Sequence, residues 1–267
     1  MRASLFFAEM NTELKAFLDG LYYVYQRREL INPDPLYFLY KYEDVRDREI
    51  AGLIASSLAY GRVAQIMKSV ESVLTCLTDE PYKFLVNNDE AEIVPDSFKH
   101  RFTTGSDMNN LLRNLREILR EYGTLEEFLR ECLRDSEGEI YSALDEFSAG
   151  LSRNREAGSF PLVTAPRDGS ACKRLFLFLK WMVRSDEVDP GGWSVIRPCD
   201  LTVPTDTHMH RISMELGFTR RKNADLRCAI EITDGFREIC PEDPARYDFV
   251  LTRFGIRSGL NFREISQ

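Results

Sequence analysis

The sequence lacks the long apolar runs that mark a membrane protein. Its longest apolar-dominated segment, residues 175–183, contains Lys180 and has about half of the roughly 18 to 20 residues that a membrane-spanning helix needs. The first ten residues carry one arginine, and Glu9 interrupts their short apolar patch, so they do not resemble a secretory signal. We therefore expect a cytoplasmic protein that does not contact a membrane, with Met10 as an alternative start.

Cysteine is scattered rather than patterned. None of the six cysteines forms a Cys-x-x-Cys pair, which argues against cysteine-built zinc or iron–sulfur sites and is typical of reduced thiols. His208 and His210 are two residues apart, so on a helix they point in different directions and form a poor metal pair. The sequence therefore predicts no metal and no other cofactor.

Positive charge is scarce overall. The net charge of −8 and the pI of about 5.2 disfavour non-specific binding to nucleic acid, for which a basic surface is expected. The distribution is uneven, however, because residues 167–222 hold ten Lys or Arg against seven Asp or Glu. This segment is locally positive, and the excess acid lies elsewhere.

Alternation typical of strands is also missing, and apolar residues recur at helical spacing along most of the chain. The predicted fold class is therefore all-α, with about ten helices. Helices are expected at residues 12–28, from near Asp47, after Gly61, from a cap at Asp107, after a cap at Thr124, and at residues 140–151, 171–184, 207–216, 225–238 and 244–254, the last with Asp243 as its cap.

Helix-breaking residues indicate how the chain is divided. Residues 10–262 are expected to form a single helical domain, with tails at 1–9 and 263–267. The segment 152–170 is rich in such residues and forms a long connection, which makes it the candidate internal boundary. Connections of this length inside compact domains are often functional, and disorder is the alternative.

The segment ACKRLFLFLKWMVR, residues 171–184, combines apolar and basic residues in an unusual way. Apolar side chains cover nearly the whole circumference, which predicts a buried helix. Lys173, Lys180 and Arg184 nevertheless lie along one stripe, at spacings of seven and four. A cation against an apolar wall extends to water, pairs with an acid or binds an anionic ligand, and desolvation favours the neutral amine that a nucleophile requires. The alternative is that Lys173 is simply a solvent-exposed residue of the first turn.

A second feature is VPTDTHMHRISMELGF, residues 203–218. Pro204 interrupts the chain, Thr205 or Asp206 caps the helix that follows, and Gly217 ends that helix. Because aspartate is one of the commonest N-caps, a purely structural role for Asp206 is the alternative to a functional one.

Several segments resemble the helix-hairpin-helix DNA glycosylases, the superfamily that includes endonuclease III. In that superfamily a proline-containing loop delivers Asp-Thr-His to a helix start, followed by an arginine. YDFVLTRFGIRSG, residues 247–259, is similar to the next core helix. REIAGLIASSLAYGRVAQIMKSV is similar to an early helix whose C-terminal turn faces DNA. The matching residues are Asp206, Thr207, His208 and Arg211 in the aspartate segment, and Ser57, Tyr60, Gly61 and Arg62 in the early turn.

The lysine departs from the main pattern of that superfamily. The LPGVG-type hairpin with a lysine just after it is missing, and PRDGSACK, residues 166–173, keeps a proline, a glycine and a lysine at altered spacing. This arrangement is more similar to the archaeal 8-oxoguanine glycosylases, in which the lysine opens a helix farther ahead of the aspartate. Lys173 precedes Asp206 by 33 residues, so the resemblance implies that Lys173 and Asp206 correspond to the lysine and the aspartate of those enzymes. Residues 10–262 as a whole also resemble a bacterial family of conserved proteins without an assigned function.

The glycosylase resemblance implies two helical lobes with a cleft, and a base-excision glycosylase/lyase that acts on an oxidised purine in damaged double-stranded DNA. Lys173 would attack the sugar and form a Schiff base, and Asp206 would stabilise the positive charge that builds there. Trp193 is expected either at the DNA or in the core beneath its glycine-rich turn. The residues expected at the DNA are Tyr60, Gly61, Arg62, Lys180, Arg184, Trp193, His208, Arg211, Arg220, Arg221 and Lys222.

Two alternatives stay open from the sequence. In the first, the chain is a non-catalytic member of this fold that binds nucleic acid or a protein, and Lys173 and Asp206 form an internal ion pair; the altered hairpin and the acidic charge favour it. In the second, it is a different lysine Schiff-base enzyme that acts on a nucleoside or sugar. No pattern in the sequence indicates an oligomeric state.

Overall fold

The structure is a computed structural model, described here for residues 2–153 and 159–257, with side chains for residues 11–153 and 159–253. These residues are mostly helical, which confirms the all-α prediction, and none of their helices is long and apolar enough to cross a membrane. The predicted tail at 263–267 and part of the 152–170 connection lie outside the described residues.

The chain order is α1 Arg2–Tyr25, α2 Val45–Ser57, α3 Val63–Cys76, α4 Pro81–Asn87, β1 Lys99–His100, β2 Thr103–Thr104, α5 Gly105–Tyr122, α6 Leu125–Asp135, α7 Ile140–Leu151, α8 Lys173–Val183, α9 Thr207–Glu215, α10 Leu226–Ile239 and α11 Asp248–Arg257. Short 3-10 turns lie at Arg28–Leu30, Pro35–Lys41, Pro166–Asp168 and Pro198–Asp200. Strands β1 and β2 pair antiparallel in a small hairpin.

Local capping explains several of the helix boundaries. Thr124 caps α6 by accepting a hydrogen bond from the Glu127 N–H, as predicted, and Gly123 ends α5 with a φ of 83°. Asp107, predicted as the cap of α5, is instead its third residue. The cap is Thr104, and the Asp107 carboxylate accepts a hydrogen bond in return from the Thr104 N–H in a capping box.

Two predicted helix starts were wrong. Helix α1 begins at Arg2 rather than near residue 12, because residues 2–19 contain neither glycine nor proline, so the first residues continue the helix instead of forming a tail. Helix α11 begins at Asp248 rather than Pro244. Asp243 is not its cap, because both carboxylate oxygens of Asp243 accept hydrogen bonds from Nε of Arg184.

Helix α2 lies at the centre of the core. Residues 49–57 of this helix are all buried, and the helix packs against α8 on one side and the Pro35–Lys41 turn on another. Gly52 stands at the crossing. A Cβ atom there would lie 3.2 Å from Leu39, 3.4 Å from Phe178 and 3.5 Å from Met182, so a hydrogen in place of a side chain lets the two helices approach closely. This packing fixes α8 relative to the end of α2.

Glu49 is a fully buried carboxyl group on α2. Its Oε1 accepts a hydrogen bond of 2.7 Å from the Leu125 N–H at the start of α6, and its Oε2 accepts one of 3.0 Å from Nε1 of Trp193. Burial raises the pKa of Glu49 to about 8, although these N–H donors act in the opposite direction. The group therefore joins α2 to α6 and to the loop after α8.

Because the folded-state pKa of Glu49 lies above its ordinary value of 4.5, its contribution to stability is fully present below pH 4.5 and is lost as the pH rises towards about 8. The loss is on the order of 5 kcal/mol. We expect Glu49→Gln, which cannot ionise, to be more stable relative to wild type at pH 9 than at pH 5. Urea unfolding of both proteins across this range measures the difference, and a constant difference would contradict it.

Candidate functional site

A cavity of about 550 Å³ lies where the ends of several elements meet. Its wall comes from the loop before the Pro35–Lys41 turn, the end of α2, the start of α3, one face of α8, the start of α9 and α11. Its polar lining consists of Asp34, Tyr60, Lys173, Lys180, Asp206, His208, Asp248, Thr252 and Arg253. The volume lies in the usual range for a small-molecule site.

Lys173 and Asp206 meet in this cavity. Nζ of Lys173 lies 3.5 Å from Oδ2 of Asp206 and donates a hydrogen bond of 3.4 Å to the backbone oxygen of Ala59 at the end of α2. About a third of the Lys173 side chain and 27% of the Asp206 side chain are exposed. The pair is therefore accessible to a ligand rather than sealed in the core.

The start of α9 positions the aspartate. Asp206 is the N-cap, and its Oδ1 accepts hydrogen bonds of 2.9 Å from the N–H groups of both His208 and Met209. These bonds fix the carboxylate through one oxygen and leave the other oxygen directed at Lys173. The capping role and a functional role of Asp206 are thus compatible in one side chain.

The start of α8 positions the lysine. The preceding residue, Cys172, has a φ of 46° in the left-handed region and is buried, so the chain turns sharply into the helix. Lys173 is the first helical residue and extends along the cavity wall. Arg174 points away from Asp206 and donates to the backbone oxygens of Ser57 and Pro161.

Lys180 and Arg184, farther along the predicted stripe, are buried in an ion-pair cluster. Nζ of Lys180 lies 2.8 Å from Asp248 and 3.4 Å from Asp189, and Arg184 pairs with Asp189, Asp186 and Asp243. Side-chain exposure of the two cations is only 2% and 3%. Their charges are matched by carboxylates, and although Lys180 borders the cavity, neither side chain lies on the exposed surface that would contact the DNA backbone.

Trp193 is likewise a core residue. It is 5% exposed, its Nε1 donates to Glu49, and its ring packs edge-on against Phe178 at 5.1 Å. Of the two positions expected for this side chain, it takes the one beneath the glycine-rich turn. To insert between DNA bases as a wedge, Trp193 would have to leave the core, which requires its glycine-rich loop to open.

The remaining predicted DNA contacts lie at or near the surface. Gly61 has a φ of 99°, a backbone conformation that favours glycine, and a Cβ atom there would lie 2.8 Å from Cδ of the Arg101 side chain. Arg221 pairs with Asp225, whereas His208 lines the cavity. The predicted cations that are exposed and have no carboxylate partner among the described residues are Arg62, Arg211, Arg220 and Lys222.

An aromatic stack borders the cavity beside Tyr60. The Tyr60 ring lies 5.2 Å from that of Phe160, which in turn lies 5.7 Å from Phe102 at the tip of the β1–β2 hairpin. The Tyr60 hydroxyl bonds to the hairpin at the His100 backbone oxygen, 2.9 Å away. The sequence pattern indicates Tyr60 but neither phenylalanine, because contacts between such distant segments leave no periodic pattern.

Asp34 and Arg253 are two further cavity residues that the sequence analysis missed. Asp34 belongs to the NPDP segment, which predicts only a turn, and Arg253 lies in the helix that resembles a glycosylase core helix. In the structure, Nη1 of Arg253 lies 3.4 Å from Oδ2 of Asp34 and donates at 3.2 Å to the backbone oxygen of Pro33. The two side chains close the part of the cavity formed by the N-terminal region and α11.

The fold and the cavity define a helical protein with an accessible lysine–aspartate pair at the junction of two helix starts. Residues 34–257 match the family described as protein of unknown function (DUF2400), and the chain belongs to this family. No curated protein and no solved structure matches the chain. The family description names no activity, so the resemblance to glycosylases and the catalytic roles of Lys173 and Asp206 stay predictions.

The two lysines of α8 should respond differently to removal of their charge. Lys180→Met leaves Asp189 and Asp248 buried beside a missing cation, so we expect a decrease of about 3–5 kcal/mol in the free energy of unfolding. Lys173→Met breaks a partly exposed pair and should cost no more than about 1 kcal/mol. Denaturant unfolding measures both. A decrease at Lys173 as large as that at Lys180 would show that the cavity pair is structural.

Proposed function

We propose that this protein is a base-excision DNA glycosylase/lyase that acts on an oxidised purine through a Schiff base on Lys173. The observation that carries the proposal is the accessible Lys173–Asp206 pair, 3.5 Å apart, on the wall of a cavity of about 550 Å³. Such a cavity has the size needed for a nucleotide that has been extruded from the duplex. The resemblance of the two helix starts to glycosylase segments supplies the reaction class.

The geometry supports different roles for Lys173 and Asp206 in the reaction. Transfer of a proton from Nζ of Lys173 to Oδ2 of Asp206 would leave a neutral amine beside the carboxyl group. The amine attacks C1′ of the sugar, the bond from C1′ to the base breaks, and the base leaves with the electron pair and takes up the proton held by Asp206. One proton of the new C1′-bound ammonium group then moves to the ring oxygen O4′, the bond from C1′ to O4′ breaks, and a protonated imine forms between Lys173 and the sugar. Asp206, ionised again once the base has taken its proton, stabilises this positive charge.

Exposed cations near the cavity support binding of a polyanion. Arg62 immediately follows cavity residue Gly61, and Arg211 lies on α9, the helix that begins at Asp206. Arg220 and Lys222 follow the same helix and are also exposed. These four side chains replace Lys180, Arg184 and Trp193 in the proposed DNA-binding surface, because the latter are buried.

A non-catalytic binding protein is the second candidate, and one observation favours it. Lys173 bonds to both the Ala59 oxygen and Asp206, so it also links α8 to the end of α2 and the start of α9. The net charge of −8 is unfavourable for a protein that must approach DNA. Chemical trapping of the Schiff base separates the two candidates, because only the enzyme forms a covalent adduct.

We expect sodium borohydride to trap the wild-type protein on a duplex with an abasic site, because reduction of the imine makes the linkage permanent. Lys173→Gln should abolish the adduct, and Asp206→Asn, which keeps the capping oxygen, should reduce its rate by at least about 100-fold. Lys68→Gln, an exposed lysine on α3, is the control and should trap as wild type does. Denaturing gel electrophoresis measures the adduct. Trapping by Lys173→Gln at the wild-type rate would exclude the proposed nucleophile.

The proposed surface also predicts the salt dependence of DNA binding. Replacing Arg62 or Arg211 with Gln should lower the slope of log affinity against log salt concentration by about 0.9 for each phosphate that is no longer neutralised. Arg197→Gln is the matched control, because Arg197 is exposed but pairs with Asp200 away from the cavity. Fluorescence anisotropy with a labelled duplex at several salt concentrations gives the slopes. Unchanged slopes for Arg62→Gln and Arg211→Gln would remove these residues from the interface.

A further inference from the structure

The cavity wall holds three carboxylates among the described residues, and they differ in how fully their oxygens are occupied. Asp248 accepts a hydrogen bond of 2.8 Å from Lys180, and Asp206 accepts two backbone N–H groups and faces Lys173. Asp34 is held by one backbone hydrogen bond and one ion pair. Its Oδ1 accepts one hydrogen bond of 2.9 Å from the Leu36 N–H, and its Oδ2 lies 3.4 Å from Nη1 of Arg253.

These contacts orient Asp34 but leave acceptor capacity. A carboxylate offers about four lone-pair sites, and the two contacts from Leu36 and Arg253 use two of them. The side chain is 29% exposed and lines the same cavity as Lys173. Asp34 is thus a fixed acceptor within a site that would also hold the reacting sugar.

The electrostatic surroundings of Asp34 leave its carboxylate able to accept further hydrogen bonds. Burial raises the pKa of the Asp34 carboxyl, whereas the Leu36 N–H and the charges of Arg253, Lys180 and Lys173 oppose this rise. Hydrogen bonds from a ligand would stabilise the ionised form further, as Leu36 already does.

We propose that Asp34 determines specificity by accepting two adjacent N–H donors from the base in the cavity, and so selects a guanine-type edge. This inference rests on the proposed function and deepens it. Guanine and its C8-oxidised form present N1–H and the 2-amino group side by side. In adenine, cytosine and thymine each donor of the pairing edge lies next to an acceptor, which a carboxylate repels.

A purely structural role is the alternative, because Asp34 caps the Pro35–Lys41 turn. Asp44 offers a matched comparison. It caps α2 by accepting a hydrogen bond of the same 2.9 Å length from the N–H two residues ahead, it pairs with an arginine, and it does not line the cavity. Asn retains a capping oxygen at either position but presents one donor and one acceptor to a ligand.

The test is equilibrium binding of two free bases, 8-oxoguanine and 1-methyl-8-oxoguanine, to the full chain, measured by ligand-observed NMR. We expect wild type to bind 8-oxoguanine at least about tenfold more tightly, since the methyl group removes one charge-assisted hydrogen bond. Asp34→Asn should lose this preference. Asp44→Asn should keep it, because Asp44 lies outside the cavity.

The inference is overturned if Asp34→Asn discriminates as wild type does, or if wild type binds neither base or both equally. Asp34→Ser, in which serine also caps turns, serves as the second variant should Asp34→Asn not fold.

Borohydride trapping on an abasic duplex is run with the same variants. Because that duplex has no base to recognise, this trapping tests the Schiff base and not the role of Asp34. Absence of any wild-type adduct refutes the Schiff-base proposal, whereas the base-binding result judges Asp34 separately.

Discussion

The fold depends on how two cations, Lys180 and Arg184, are accommodated in the core beside an apolar helix. Lys180 of α8 and Arg184, the residue just after that helix, are buried, and they persist there because Asp189 contacts both of them. Asp248 completes the partners of Lys180, and Asp243 is among those of Arg184. An unpaired charge at this depth would lower the free energy of unfolding by several kcal/mol. Helix α8 therefore packs in the core only together with the segments that supply the carboxylates. The cluster thereby joins α8, the loop after it and the start of α11.

The candidate site lies at the open end of the same helix. Lys173 is one third exposed and has a partner 3.5 Å away, whereas Lys180, two turns later, is 2% exposed and pairs with two carboxylates. One helix therefore carries both a structural cation and an accessible one. The buried cluster immobilises the helix, and the accessible lysine is presented on a rigid support beside Asp206. This arrangement suits chemistry that needs fixed geometry.

The sequence predicted the parts of this fold that depend on local rules. Helix α7 at Ile140–Leu151 and the cap at Thr124 were located from spacing and capping residues alone, and the cap of α9 was narrowed to Thr205 or Asp206. Asp243 was misassigned because Asp followed by Pro is a good helix start, yet the structure uses its carboxylate for Arg184, 59 residues away. A capping pattern cannot reveal a stronger partner that lies far along the chain. The two-lobed arrangement and its DNA partner stay predictions.

What the sequence determined by itself was the helical class, most helix positions and the unusual character of α8, because periodicity and capping act within a few residues. Only the tertiary structure decided which cation of the stripe is accessible. It also placed Trp193 on Glu49 in the core and brought Asp34 and Arg253 into the cavity with Lys173. Burial and ion pairing are set by segments that lie far apart along the chain, and neither leaves a local pattern. The role of a charged residue therefore depended on its surroundings and not on its place in a motif.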